Sequence, residues 1–481
     1  MYRYFLVVVS GLAFAASRSS VAEAIEDWSQ FRGPNASGTL KGARPPERFG
    51  PEDHLLWRIK VPWSPSSPVI SGGQIFLTTF HQGELQTRSY DRKTGELNWS
   101  KGIKPEQLEE FANQDGSPAA STPAAQAHRV VSYFGSFGLV CHDFDGKELW
   151  RLPLPVALSG GSYGSGTSPI IVGKHVFLNR DLDRNSSVMA VDLDTGRKVW
   201  ETSRPEASGG FSTPVYWKNN RVDELVVAGT STVKGYDLSN GAQRWVVNGV
   251  SWFVCTTPVV GHDHVYFGCW SPGKPDSGLP LDWESFRARF DKNSDGKVDA
   301  NDFDKVGWEY TRGLDRDHDG AISETDLGVI RNQNARGENT FIAISAGGRG
   351  DITETHVAWK FGRGLPYVPS PVLYDGRIYY VKDGGMLSSL DAQTGKPHYF
   401  QERLNAEGNY YASPVAANDR IYVASLPGKL SVIKAGGEKP TLLHQVEFGE
   451  RILATPAMCE NNLYLRTQEH LFAFGSDEVR R

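Results

Sequence analysis

The sequence predicts an all-β fold: an eight-bladed β-propeller of four-stranded antiparallel blades, its N-terminal strand closing the last blade, with a small α-helical insertion. Three observations predict it. One unit recurs eight times, the final unit lacks its last strand, and one interval is far too long for a blade.

Each unit opens on a Ser/Thr-Pro dipeptide. These begin at Ser67, Thr122, Ser168, Thr213, Thr257, Ser370, Ser413 and Thr455, mostly 42 to 55 residues apart. Proline suits a strand's first residue, where a missing N–H is tolerated. Two short β-rich runs follow, joined by turns such as 71–73, 374–376 and 417–419. The unit closes on Asp-x-x-x-Gly-x-x-x-Trp, as in the phrases ending at Trp99, Trp200 and Trp245, with variants ending at Trp150 and Tyr399. The Gly supplies positive φ for a hairpin, and the Trp offers an apolar plate on which one sheet packs against the next. A repeated four-stranded unit of this kind reads as a propeller. The last unit, 454–474, has no closing phrase, and residues 54–61, with Trp57, supply the missing strand. Closure removes the exposed edges that an open array would leave.

The long interval runs 113 residues, from Thr257 to Ser370, and its excess lies between Trp270 and Phe341. Within it stand DKNSDGKVDAND, 291–302, and DRDHDGAISETD, 315–326. Both match an EF-hand loop at positions 1, 3, 5, 6, 8 and 9. A hard cation needs many oxygens in a small volume, so alternate residues turn inward about Gly296 and Gly320. Asp291, Asn293, Asp295, the Lys297 carbonyl, Asp299 and Asp302 are the expected ligands of the first loop. Asp315, Asp317, Asp319, the Ala321 carbonyl, Ser323 and Asp326 are those of the second, with calcium the expected cofactor. Val298 and Ile322 occupy the apolar position where paired loops join. Position 12 is Asp rather than Glu, and the loops start only 24 residues apart. A short connecting helix within 303–313 and a modest affinity, ~10⁻⁵ to 10⁻³ M, follow; magnesium also suits six oxygens.

The organisation predicted is a signal peptide, 1–24, an N-terminal extension, 25–51, the first part of the propeller, 52–270, the insertion, 279–334, the second part, 339–475, and a tail, 476–481. Arg3, the apolar run 5–16 and Ala22-Glu23-Ala24 make the leader. That run, like every later one, is too short for a membrane span of roughly 20 residues, which predicts a periplasmic or secreted protein. Residues 281–335 carry 13 acidic and 8 basic residues, and this surplus equals the chain's net charge of −5. No basic field for nucleic acid remains. Cys141, Cys255, Cys269 and Cys459 form no disulfide scaffold; Cys255 and Cys269 flank one hairpin and would either face each other or stand as separate buried thiols.

The links from strand two to three, and from blade to blade, share one face. That face receives every long segment: the insertion, 99–121 with a helix-like run over 105–111, and the Gly-rich 158–167. Functional loops are commonly the long ones. The same face collects Trp63, Tyr163, Phe211, Trp252, Phe253, Tyr367, Tyr410 and Tyr411 just ahead of the innermost strands. These predict a ligand mouth able to stack on a flat or sugar-like guest, with sealing of blade contacts as their other use.

The closing phrases resemble the tryptophan-docking repeats of the pyrroloquinoline-quinone-like (PQQ-like) propellers. That group spans quinoprotein alcohol dehydrogenases and non-enzymatic relatives such as the propeller lipoprotein of the outer-membrane β-barrel assembly machinery. The opening 28–35, Trp-Ser-Gln-Phe-Arg-Gly-Pro-Asn, is similar to the start of other exported members. The resemblance implies, for an enzyme, two adjacent cysteines in a disulfide, an axial calcium held by Glu and Asn, and a catalytic Asp. This sequence has no Cys-Cys, and PQQ is not expected. The predicted role is a calcium-binding, non-enzymatic scaffold, monomeric, whose partner is an envelope protein or polysaccharide. The alternatives are a PQQ-dependent oxidoreductase with an atypical active site and a polysaccharide- or peptide-binding module.

Overall fold

The structure is a computed structural model describing residues 27–111, 115–158, 163–219, 222–272, 279–317 and 319–475; the expected leader and tail lie outside the described residues. Eight antiparallel sheets form blades 1 to 8, spanning 69–103, 124–153, 170–203, 215–248, 259–361, 372–403, 415–447 and 457–475, the last completed by Leu55–Lys60. That strand pairs antiparallel with His470–Gly475, which closes the ring as the sequence predicts. Blade 4 gains a fifth strand, Gly350–Asp351, which reaches over from blade 5 and pairs parallel with Trp245 and Val246.

The tryptophan plates do what the repeat implies. The indole N–H groups of Trp57, Trp99, Trp150, Trp200 and Trp359 donate across five of the eight junctions, to the carbonyls of Arg92, Phe144, Leu193, Leu238 and Ala392, at 2.8–3.1 Å. Each ring lies on the hairpin glycine of the next blade. A Cβ on Gly146, for example, would fall 2.8 Å from Trp99, so positive φ and close approach both demand glycine there. Trp245 departs from the pattern and donates to Glu224 instead. At that junction Trp217 reaches the Gly261 carbonyl, at 2.9 Å.

A second ring runs at the axis. The backbone N–H of Ser67 donates to the hydroxyl of Thr122, Thr122 to Ser168, Ser168 to Thr213, Thr213 to Thr257, Thr257 to Ser370, Ser370 to Ser413, Ser413 to Thr455, and Thr455 back to Ser67. All eight bonds measure 2.9–3.2 Å, and every member is buried. The Ser/Thr of each Ser/Thr-Pro dipeptide thus belts its blade to the next.

The N-terminal segment plugs one end of this belt. The carbonyls of Trp28 and Ser29 accept from Ile70 and Ala125, the Gln30 side chain accepts from Ile171, Asn35 from Tyr216, and the Gly38 carbonyl from Ala416. Each of those five donors stands three residues beyond a belt residue. The plug therefore reads one register position in blades 1, 2, 3, 4 and 7.

The insertion holds helices α1 (Trp283–Phe290), α2 (Lys305–Thr311) and α3 (Glu324–Ala335). Val298 pairs with Ile322, and Asp299 with Ala321. The run 105–111 forms no helix, contrary to its sequence pattern. Glu109 turns inward there and Phe111 packs edge-on to Phe80, 5.7 Å between centroids, so burial overrides local propensity.

Thr257→Val should cost about 1–3 kcal/mol in chemical denaturation, because it strands the buried Thr213 N–H. Thr257→Ser keeps the acceptor and should lose less than half as much; equal losses would mean that the belt bond contributes nothing.

Candidate functional site

On the face opposite the plug's contacts the belt opens into an axial cavity of about 200 Å³. Phe31 of the plug reaches it from below, and seven of the eight belt residues, all but Thr213, line it. Above them stands a collar of Tyr163, Phe211, Phe253, Tyr367 and Tyr411. The rings follow one another edge to face: Tyr163 to Phe211 at 6.2 Å, Phe211 to Phe253 at 5.6 Å, then Phe253 to Tyr367, tilted, at 6.4 Å. Such a wall offers stacking surface and little charge.

Five of the eight aromatics predicted for the mouth thus meet at the cavity; Trp63, Trp252 and Tyr410 do not line it. Trp252 turns beneath the insertion and donates to the Pro272 carbonyl, at 2.7 Å. Tyr410 is buried between blades 6 and 7, its hydroxyl on the Ala406 carbonyl at 2.6 Å.

Among the described residues, one carboxylate reaches the cavity. Asp115 pairs with Arg451 and accepts from the Tyr411 hydroxyl at 3.0 Å. Cys255 also lines it, and burial together with the nearby Cys269 holds its thiol well above the usual range. Cys269 is buried among the carbonyls of Phe253, Trp270 and Tyr367, and the two sulfurs are free thiols.

Sequence reasoning missed Glu109. It is buried under the collar, where its carboxylate accepts from the Ser165 hydroxyl at 2.7 Å, and its backbone N–H donates to the Ser136 hydroxyl at 2.9 Å. It thereby ties together three loops. Burial pushes its carboxyl up to about 7. Gly135 makes the room, since a Cβ there would stand 2.2 Å from Glu109 Oε2.

In the insertion, the two acidic loops wrap their own backbone. Asp291 accepts from Gly296 N–H at 3.0 Å, and Asp315 from Gly320 N–H at 2.9 Å. Asp302 and Asp326, at the twelfth positions, are buried and turned into their loops by N–H bonds from Lys292 and Arg316, each 2.8 Å. Asn293 and Asp295 accept from the N–H groups of Asp295 and Lys297, both at 2.9 Å, and Asp299 caps the turn at Asn301. In the second loop, Asp317 and Asp319 accept from Asp319 and Ala321, and Ser323 N–H meets Asp326. Carboxylate oxygens of Asp315, Asp317 and Asp326 lie within 4.8 Å of one another. At that separation each pair of like charges repels by about 3 kcal/mol at an effective dielectric near 20.

The insertion sits on the collar. Its core of Phe286, Val298, Ile322, Leu327 and Ile330 includes Trp252 and packs against Phe253. Arg316, the second residue of the second loop, forms a buried ion pair with Asp183 of blade 3, at 2.8 Å. Arg184 donates to the Asp317 carbonyl, also at 2.8 Å.

The fold defines the class: an eight-bladed β-propeller of four-stranded antiparallel sheets. Residues 86–251 match the family described as Outer membrane protein assembly factor BamB. A polyvinylalcohol dehydrogenase from Sphingopyxis sp. (strain 113P3) is 23% identical, the match covering 48% of this chain and 39% of that enzyme; the chain spans about two fifths of the length of the curated relative it matches. Among solved structures, BamB from Moraxella catarrhalis is 11% identical with a TM-score of 0.54, over 88% of this chain and 97% of that one. A europium-containing methanol dehydrogenase is 9% identical with a TM-score of 0.60, over 94% and 98%. At such identities these structures establish the fold. No helix among the described residues is long and apolar enough to cross a membrane.

Glu109 sets a pH dependence. Its folded pKa is raised, so the folded state holds a proton that the unfolded chain releases. Its contribution is therefore most favourable below about pH 4.5 and declines as pH rises to about 7. Glu109→Gln should match wild type at pH 4 and exceed it at pH 8, by at most about 3 kcal/mol. Urea titrations at both pH values check this; a variant less stable at pH 8 would contradict it.

Proposed function

We propose that this chain is an exported, calcium-binding, non-enzymatic scaffold of the cell envelope, which presents its collar face to an envelope protein. The observation that carries the reading is the seat of the acidic insertion: one loop is bonded to blade 3 through Arg316 and Arg184, and the insertion's core packs on the collar residue Phe253. A cation bridging Asp315, Asp317 and Asp326 would offset their mutual repulsion and stiffen that loop where it meets the mouth. The expected ions are two calciums, one per loop, held by the residues named above.

The cavity's own chemistry supports a role without quinone. Among the described residues, its lining offers one carboxylate, Asp115, already engaged by Arg451 and Tyr411, and a single cysteine, and includes no Glu or Asn. The axial calcium and paired cysteines of a quinone site have no counterpart in that donor set. The match of residues 86–251 to the family described as Outer membrane protein assembly factor BamB favours a protein partner. The match to a polyvinylalcohol dehydrogenase favours the second reading, an oxidoreductase of atypical site. Dye reduction by purified protein given PQQ, calcium and an alcohol panel would establish that second reading, and inactivity throughout would retire it.

Calcium should raise the melting temperature and release or absorb heat with the wild-type chain, and do neither with Asp291→Ala/Asp315→Ala. Equal responses in calorimetry would reject a specific metal role. Asp315→Ala alone should diminish any calcium-induced change in tryptophan emission, since Trp252 lies in the core with Ile322 of the second loop, and leave the part that the first loop contributes.

A further inference from the structure

Among the described residues, three arginines are buried to within 1% of complete. They meet that cost in different ways. Arg204 faces a carboxylate, with Nε and Nη2 at 2.7 and 3.0 Å from Asp181. Arg466 donates to the carbonyls of Ser66, Thr78 and Pro62, at 2.7–3.2 Å. Arg32, in the plug, donates only from Nη2, to the Pro371 carbonyl. Its Nε and Nη1 have no partner, and no carboxylate pairs with it among the described residues.

The guanidinium is at the belt. Pro371 directly follows the belt residue Ser370, and a Cβ on Gly38 would stand 3.0 Å from Arg32 Nη2 and 3.2 Å from the carbonyl of Pro414, which follows Ser413. The belt and the plug hold further donors without a protein acceptor. The belt hydroxyls accept backbone N–H groups but donate to no protein acceptor among the described residues. The buried Trp28 indole N–H of the plug is also without a partner. The backbone that carries Arg32 is held at φ 60, beside Gly33 at φ 72, with Asn35 and Ala36 at φ 53 and 52. A chain that accepts left-handed residues and an unmatched buried cation in one short turn needs something to offset both.

We propose that the plug carries a built-in anion site, in which a small monovalent anion of halide size is enclosed against Nε and Nη1 of Arg32. A cation is excluded by the guanidinium and the surplus of donors. A divalent anion would leave one charge unmatched in the interior. Water would fill the hydrogen bonds but leave the charge, and burial alone lowers the Arg32 pKa only to about 9, so the group stays positive at neutral pH. The anion would anchor the segment that carries Phe31, the floor of the axial cavity. The inference is independent of whether the insertion binds calcium.

The test uses the full exported chain in two measurements. Replacing gluconate by chloride at constant ionic strength, up to 100 mM, should raise the wild-type melting temperature by about 2 °C or more and leave Arg32→Gln unmoved. Crystals grown in sodium bromide should show an anomalous peak beside Arg32 Nε and Nη1. If Arg32→Gln does not fold, the bromide map decides alone. Water only at those nitrogens, or bromide bound elsewhere as an adventitious ion only, overturns the proposal, as does a melting temperature equal in both salts.

Discussion

The structure depends on how a ring of sheets satisfies its backbone at the axis. Eight innermost strands converge there, and each begins with an N–H that water does not reach. Sheet hydrogen bonds run within a blade and cannot serve it. The serine or threonine of the following blade does so instead, eight times over, the last bond joining residues 388 positions apart. Because each bond needs the next blade in place, the belt counts blades: an array that lacked one would leave a buried donor and a buried acceptor unmatched. The tryptophan plates, by contrast, work junction by junction and tolerate the exception at Trp245.

Most of this architecture was legible, because the signals lie within one unit. Hairpin glycine and closing tryptophan are four residues apart, and the orphan strand at 54–61 announces closure. The belt was half legible. Ser/Thr-Pro marks the start of each first strand, but the hydroxyl serves a neighbouring blade, and nothing local to the dipeptide says so. The plug was opaque: 28–38 has no periodicity, since its polar atoms answer the geometry of five separate blades.

The collar shows where a count along the chain fails. Trp252 and Phe253 are adjacent, as are Tyr410 and Tyr411, and successive side chains of an extended segment point opposite ways. Only one of each pair can face the axis, and it is Phe253 and Tyr411. Trp252 and Tyr410 went to the interfaces, which is the sealing use, while Phe253 and Tyr411 line the cavity. Glu109 escaped notice because its run looks helical, and a carboxylate on a helix-like acidic segment reads as solvated. Only tertiary structure puts Ser136 and Ser165 beside it.

The two acidic loops, nearly identical as sequence, differ in what surrounds them. The first makes its hydrogen bonds to its own backbone. The second adds Arg316 to Asp183 and Arg184 to the Asp317 carbonyl, both reaching blade 3. From Asp183 the chain leads through the buried pair of Asp181 and Arg204 to Gly210, whose N–H donates to the Asp181 carbonyl at 3.0 Å, and so to Phe211 of the collar. Phe253, packed on the insertion's core, stands beside Phe211 in the same wall. The second loop therefore reaches the mouth both through blade 3 and through the insertion's core, while the first, whose Val298 belongs to that core, reaches it through the core. Contiguity is a necessary condition for coupling and not a measure of it. The two loops are thus unequally attached: the second is bonded to blade 3, and the first meets the propeller through the shared core.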